Sequence, residues 1–436
     1  MIVLLLPVVA AILFCERRGL LYPDENAVYD SLCVHTFVLT SENKPTAKCE
    51  RFEALTHGGK VYLYLLRDSI RALPHAGDTL IAATRIRHVD SIGSFDYRTY
   101  LLRQGIIGTA FVRNWQTHPL SLPKGKEATI PLQKRLYNRL AAAGLEGDEL
   151  ATTGAMTLGV KEDLDPGLRH RFQASGAAHV LAVSGLHTGV LYAVLLGLLT
   201  LGGRIKPLYE NRLGRAAVSL VIIAAMWAYA WLTGMTPSVV RSVLMITIVE
   251  TGRMLYRNSL TINTISAAAV LILLARPLDL WSVSFQLSFA ATATIVLCTG
   301  RFRTVLPRGT GIGARLFRYV AGILIVSLAA QLGTLPITIY YFGQVSSYFL
   351  LTNLMVLPLA TLLVPLGLLT IALGGCSAGL VVGKVTQTVA WLMNHAVGWV
   401  ESLSGCTLPA QTNGAMIAVY YVLLLLFFCV PAKKYK

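Results

Sequence analysis

The sequence predicts a polytopic α-helical membrane protein with about nine core spans and an N-terminal anchor, carrying an extracytoplasmic β-barrel (OB-like) domain near its N-terminus. Three observations lead there. Hydrophobic residues make up 54% of the 436-residue chain and charged residues only 14%, against about 25% charged in an ordinary soluble domain. Apolar runs of about 20 residues, enough to cross a hydrocarbon core, recur from residue 179 to the C-terminus. Residues 27–115 differ: there, short alternating runs are separated by turn residues.

Residues 1–15 (Met1–Cys15) are apolar and read as an uncleaved anchor. No basic region precedes them and no small-x-small cleavage site follows, which argues against a removed signal peptide. Residues 27–115 contain strand-like runs at Val28–Thr40, Lys48–Leu55, Lys60–Leu66, Thr79–His88 and Ile106–Arg113, with a short helix at Tyr97–Gln104. Strands at this density, punctuated by Gly, Pro and Asn, suggest a small barrel. Tyr62 and Tyr64 share one strand face and Arg85 and Arg87 share another, a pattern that suits stacking and phosphate contact with single-stranded nucleic acid. The same residues also suit barrel packing and ordinary surface. Cys33 and Cys49 lie on the outer side, where either a disulfide or two free thiols fits the spacing. No cysteine or histidine cluster suggests a metal, and no motif suggests a cofactor.

Residues 116–178 read as amphipathic connector helices: Leu132–Gly144, with Lys134, Arg135 and Arg139 on its polar side, then Asp148–Val160, then a helix opened by Asp165-Pro166 and running to Ala174. From 179 to 430 the apolar runs give spans near 179–201, 216–233, 238–251, 260–275, 280–299, 319–342, 348–373, 385–403 and 414–430. The formal net charge of +16 is concentrated in alternate loops: Arg204 to Arg215, Arg253 and Arg257, Arg301 to Arg318, Lys384, and the tail 431–436 with Lys433, Lys434 and Lys436. The intervening loops hold one basic residue, Arg276. That is the positive-inside pattern. It assigns much of the charge to topology, puts the N-terminal domain outside, and puts the C-terminus in the cytoplasm.

Polar residues within spans are costly and mark function or helix contacts. His179, Ser184 and His187 open the first span, which is read as running unbroken from His179. Arg241 lies one turn into a helix that Thr236 or Ser238 caps; it is either a snorkelling anchor or a buried cation for an anionic substrate. Gln286 lies in an apolar run, and Gln331 precedes a helix break at Pro336. Asn353 precedes a span interrupted by Pro358 and Pro365.

These residues resemble the ComEC competence family. The likeness is carried by His179–Gly189 (HVLAVSGLHTG), Gly234–Met245 (GMTPSVVRSVLM), Ser284–Ala290 (SFQLSFA), Ser327–Gly343 (SLAAQLGTLPITIYYFG) with Asn353–Pro358, and Gly93–Gly105 (GSFDYRTYLLRQG). It implies a channel conducting single-stranded DNA across the bacterial cytoplasmic membrane, not an enzyme, with His179, Ser184, His187, Arg241, Gln286, Gln331 and Asn353 lining or shaping the path. The implied partners are single-stranded DNA, membrane lipid, a periplasmic or surface DNA receptor, and a cytoplasmic motor or single-strand-binding proteins. The chain lacks the His-x-His-x-Asp-His motif of the nuclease domain that many members carry, so a separate nuclease is expected. Two other classes fit part of the pattern. One is a transporter for another anion. The other is an intramembrane serine hydrolase with Ser184 as nucleophile and His187 as base, though that chemistry normally draws its histidine from a different helix.

Overall fold

A computed structural model describes residues 2–17, 31–40, 44–45, 49–66, 73–74, 77–87, 97–118, 129–161, 163–200, 211–256, 261–302 and 311–429. The basic loops 201–210, 257–260 and 303–310, the Gly93–Asp96 end of one motif and the tail 431–436 lie outside these residues. The chain divides into two compact units.

One unit comprises Leu6–Ala128 and Ile272–Ser282. It holds most of helix α1 (Ile2–Arg17) and an eight-stranded sheet: β1 (Cys33–Leu39), β2 (Lys44–Pro45), β3 (Cys49–Thr56), β4 (Gly59–Leu66), β5 (Thr79–Thr84), β6 (Ile86–Arg87), β7 (Ile106–Val112) and β8 (Gln116–His118). The five expected runs all form strands because they alternate. In β1 the inward residues His35, Phe37 and Leu39 are buried while Val34, Thr36 and Val38 are exposed. Phe52, Val61, Leu63, Leu65, Leu80 and Ile86 complete the core. The order is β6-β7-β4-β3-β1-β5-β8, with β2 on β3 and the β4–β7 pair parallel. Two features depart from the expected pattern. The Thr79–His88 run is split at Arg85 into two strands with different partners, β1 and β7. The short strands β2 and β8 have no visible period because two or three residues cannot alternate. Helix α2 (Tyr97–Arg103) precedes β7.

No disulfide joins Cys33 and Cys49. The register Val38↔Leu55 runs β1 and β3 in opposite directions, so Cys33 extends past the β3–β4 turn while Cys49 begins β3 at the far end. At about 3.3 Å per residue, this leaves them much farther apart than a disulfide spans. The disulfide alternative is therefore corrected.

The other unit comprises Met1–Leu5, Thr129–Leu271 and Val283–Lys436. Its helices are α3 (Thr129–Ala142), α4 (Gly147–Leu158), α5 (Pro166–Ala174), α6 (Ala178–Leu181), α7 (Gly185–Leu199), α8 (Arg212–Leu232), α9 (Pro237–Met254), α10 (Thr261–Ala275, whose end belongs to the other unit), α11 (Val283–Phe302), α12 (Ile312–Phe342), α13 (Phe349–Leu373), α14 (Ser377–Glu401) and α15 (Gly414–Cys429). Among the described residues, α8, α12 and α13 are long and apolar enough to cross a membrane, and α1, α7, α10, α11 and α15 contain shorter apolar helices. A ribbon of β9 (Gln344–Ser346) and β10 (Thr407–Pro409) joins two loops.

Helix α5 starts as its sequence dictates: Asp165 Oδ2 accepts the N–H groups of Gly167 and Leu168 at 2.7 and 3.2 Å, with Pro166 in the first turn. Helix α4 packs in the interior of its unit. Every residue from Ala151 to Leu158 is buried, and Ala151, Ala155 and Met156 share a core with Val356, Ala360 and Leu363 of α13 and Met393 and Val397 of α14. Gly367 permits this approach, since a Cβ there would sit 2.6 Å from the Thr157 methyl.

The expected proline breaks do not occur. Pro336 lies inside α12, and Pro358 and Pro365 lie inside α13. A proline removes the hydrogen bond to the carbonyl four residues back, which for Pro336 is that of Leu332. The Tyr420 hydroxyl of α15 donates to Leu332 O at 2.8 Å, and Tyr421 donates to Gly333 O at 2.7 Å. Another helix thus satisfies the freed backbone, and the helix continues.

Candidate functional site

The apolar run expected to be unbroken from His179 is divided. Ala182–Ser184 are extended between α6 and α7, and Val183 O accepts a hydrogen bond from Ser238 Oγ at 2.7 Å. Ser184 is the N-cap of α7 and His187 its third residue. The Ser184 N–H donates to His187 Nδ1 at 2.9 Å, and the His187 N–H reaches back to Ser184 Oγ. This reciprocal pair is a capping box with histidine in place of the usual Glu or Gln. Ser184 Oγ also lies 3.3 Å from His187 Nδ1, but the nearer Ser184 N–H shares that lone pair, which disfavours a nucleophile–base pair. His187 is fully buried, whereas His179 is exposed, with Nδ1 3.2 Å from Gly176 O.

Arg241 is 3% exposed, so it does not snorkel outward as an anchor. It lies one turn into α9, and its Nη2 donates to Ser284 Oγ at 3.0 Å, in the first turn of α11. Near its own start, α9 also meets α7: a Cβ on Gly185 would sit 3.2 Å from Ser242 Oγ. The N-terminal turns of α7, α9 and α11 are therefore linked around Ser184, Ser238, Arg241 and Ser284. Exposed N–H groups and the helix dipole make each such turn electropositive.

The other candidates are more dispersed. Gln286 is half-buried two residues beyond Ser284, and Gln331 is half-buried on α12. Asn353 is 8% exposed near the start of α13, and its Oδ1 has no hydrogen-bond partner among the described residues. Its neighbour Thr352 donates to Ser175 O at 2.8 Å.

A further polar site lies near the end of α9, at Glu250. Glu250 is 0% exposed. Its Oε1 accepts from Tyr192 Oη at 2.6 Å and Arg253 Nη1 at 2.9 Å, and its Oε2 accepts from Ser219 Oγ at 2.8 Å. Arg253 also donates to Tyr192 Oη at 2.7 Å, so one network joins α7, α8 and α9.

On the sheet, the four candidates fall on one outward face. Arg51 pairs with Tyr64, which pairs with Phe111; Tyr62 pairs with Thr109, which pairs with Arg87. Arg85 is exposed one residue before Ile86, which pairs with Ala110, and Thr84 Oγ1 donates to Phe111 O at 2.8 Å. Tyr64 and Phe111 are stacked with ring centres 4.8 Å apart, and Phe111 is 63% exposed. Tyr62 offers no open ring: it is buried with Leu101 and Ile106, and the Arg51 guanidinium lies 4.8 Å over it. Burial, with Glu53 nearby, pushes its hydroxyl up to about 12. Phe111 and Arg51 were missed, although alternation within their own strands puts both on this face.

Residues 156–434, more than half of the chain, match the family described as Competence protein. This chain belongs to that family. Among curated relatives, it is 28% identical over 340 residues to ComE operon protein 3 of Bacillus subtilis (strain 168), covering 77% of this chain and 39% of that protein. Over 203 residues it is 27% identical to Uncharacterized protein YcaI of Escherichia coli (strain K12), covering 46% of this chain and 26% of the other. The chain therefore spans well under half the length of either relative. No solved structure matches.

Proposed function

We propose that this competence protein forms the path by which single-stranded DNA crosses the bacterial cytoplasmic membrane during natural transformation. Membership of the competence family over residues 156–434 carries the reading. A polyanion crossing a bilayer needs a hydrated path that is neutral to positive. The buried Arg241, among the first turns of α7, α9 and α11, supplies such potential. In this reading about nine helices of residues 179–430 cross the membrane, residues 27–115 lie outside, and His179, Ser184, His187, Arg241, Gln286, Gln331 and Asn353 line or shape the path.

The sheet is read as an OB-like barrel. The hydrogen-bonded order runs from β6 to β8 without closing, and only Arg85 separates β5 from β6. The parallel β4–β7 pair supports the same reading. Single-stranded DNA would stack on Tyr64 and Phe111 and meet Arg51, Arg85 and Arg87. A DNA receptor, a separate nuclease, and a motor or single-strand-binding proteins would complete the system.

Deleting the gene is expected to abolish internalisation of labelled DNA. Restoring it as Arg241→Leu should leave the protein level normal and uptake about a hundredfold lower, the effect of losing a buried charge contact worth about 3 kcal/mol. Full uptake in the deletion strain would refute the reading. Intact DNA uptake with lost uptake of a small anion would favour the alternative, a transporter of another anionic substrate.

A further inference from the structure

Strand β1 is paired along its length on one side only. It pairs with β5 from Cys33 to Val38, but with β3 only at Val38↔Leu55 and Leu39↔Ala54. Strand β3 ends at Thr56, where the chain turns through His57 and Gly58 into β4. The Thr40 N–H donates to Glu53 O at 2.8 Å, whereas the Leu39 N–H points the other way, to Asp78 O at 3.0 Å. Backbone groups alternate sides along an antiparallel strand. Those of His35 and Phe37 therefore face β5, and those of Val34 and Thr36 face the row of β3. Beside them that row is empty among the described residues. The gap runs from Cys33 to Phe37, about 17 Å at about 3.4 Å per residue. A recess of about 640 Å³ lies there, lined by Val34, Thr36, Leu55 and His57 among others. On the outward face Val34, Val38 and Leu55 are exposed, Val34 at 72%.

Natural sheets guard an unpaired edge with Lys, Pro or a bulge, and Cys33–Leu39 (CVHTFVL) contains no Lys or Pro. N–H donors and carbonyl acceptors repeating at strand spacing match one chemistry, the backbone of another extended chain. We propose that this gap is a docking site for an extended segment of a partner protein. The segment continues the row of β3, antiparallel to β1, and exchanges backbone hydrogen bonds with Val34 and Thr36. Its outward side chains are apolar, because they fall beside Val34, Val38 and Leu55. The β3–β4 turn closes one end of the row, so a single segment fits where the edge of a second folded sheet would meet the turn. The proposal does not depend on DNA passage.

The test uses the full-length protein in detergent and a fluorescent peptide, KTVTVTVK, which alternates Val with Thr. Wild type should bind it, and the same peptide with N-methylated Thr and Val amides should bind about tenfold more weakly. Thr36→Pro removes an N–H from the open row and none from the β5 ladder, and should weaken binding about tenfold. Val34→Lys puts a charge on the open edge and should do the same; it tests the site if circular dichroism shows Thr36→Pro misfolded. Leu66→Ser, at the opposite end of β3, should match wild type. Hydrogen exchange gives a second readout. The Val34 and Thr36 amides should exchange rapidly in the protein alone and slowly with peptide bound, while His35 and Phe37 stay slow. Protection of Val34 and Thr36 without peptide, or undiminished binding of the N-methylated peptide or by Val34→Lys, would overturn the site. Self-association that Thr36→Pro abolishes would overturn it in favour of a second copy of this chain.

Discussion

At the scale of single residues, Glu250 illustrates what a buried charge needs. Both carboxylate oxygens have donors, and those donors come from three helices. Removing one side of such a network leaves the rest desolvated and unmatched, at a cost of about 3–5 kcal/mol. Glu250→Leu should therefore lower the thermal unfolding midpoint strongly. Glu250→Gln, which keeps an acceptor for Tyr192 or Ser219, should cost only about 1–2 kcal/mol. Equal losses in the two variants, measured in the same detergent, would mean that the network does not bind the helices together.

At the scale of elements, the telling case is a helix that survives its proline. In α12, Pro336 withholds an N–H from Leu332 O, and Tyr420 supplies a hydroxyl instead. Tyr420→Phe should then cost about 1–3 kcal/mol, but much less when combined with Pro336→Ala, which restores the backbone donor. A double-mutant cycle on unfolding midpoints checks this, and additive losses would refute the substitution of one donor for the other. The same case shows what the sequence could disclose. The strands at 33–39, 49–56, 59–66 and 106–112 and the helices from 129 onward follow local periodicity and caps, and these signals are written in neighbouring residues. The unbroken course of α12 depends on a tyrosine 88 positions away, and the partners of Glu250 are as far as 58 positions away. The Ser184–His187 box was legible as a motif, but its role as a cap rather than a reactive pair rests on the backbone N–H that occupies Nδ1. Burial of Tyr62 beneath α2 was equally hidden, since strand parity says which side a ring takes and not what covers that side.

At the scale of the whole molecule, a net charge of +16 on a chain with only 14% charged residues serves two different ends. In the proposed topology loop arginines mark the cytoplasmic side, while Arg51, Arg85 and Arg87 gather on one sheet face beside Tyr64 and Phe111. If that face holds single-stranded DNA, Arg85→Ala and Arg87→Ala should each reduce the slope of log affinity against log salt by about 0.7. Phe111→Ala should weaken binding by about 1–3 kcal/mol at any salt. Titrations of a labelled oligonucleotide against the full-length protein measure both. A salt slope unchanged in the arginine variants would remove this face from the DNA contact.

The tyrosine hydroxyls of α15 also bear on how the chain is built. Translation produces α12 before the helix that supplies its missing donor, the Tyr420 hydroxyl. Until α15 packs against α12, the carbonyl of Leu332 must find another donor. Helix α15 thus works as a latch: a chain halted before residue 414 would leave α12 with an unmatched carbonyl at its proline.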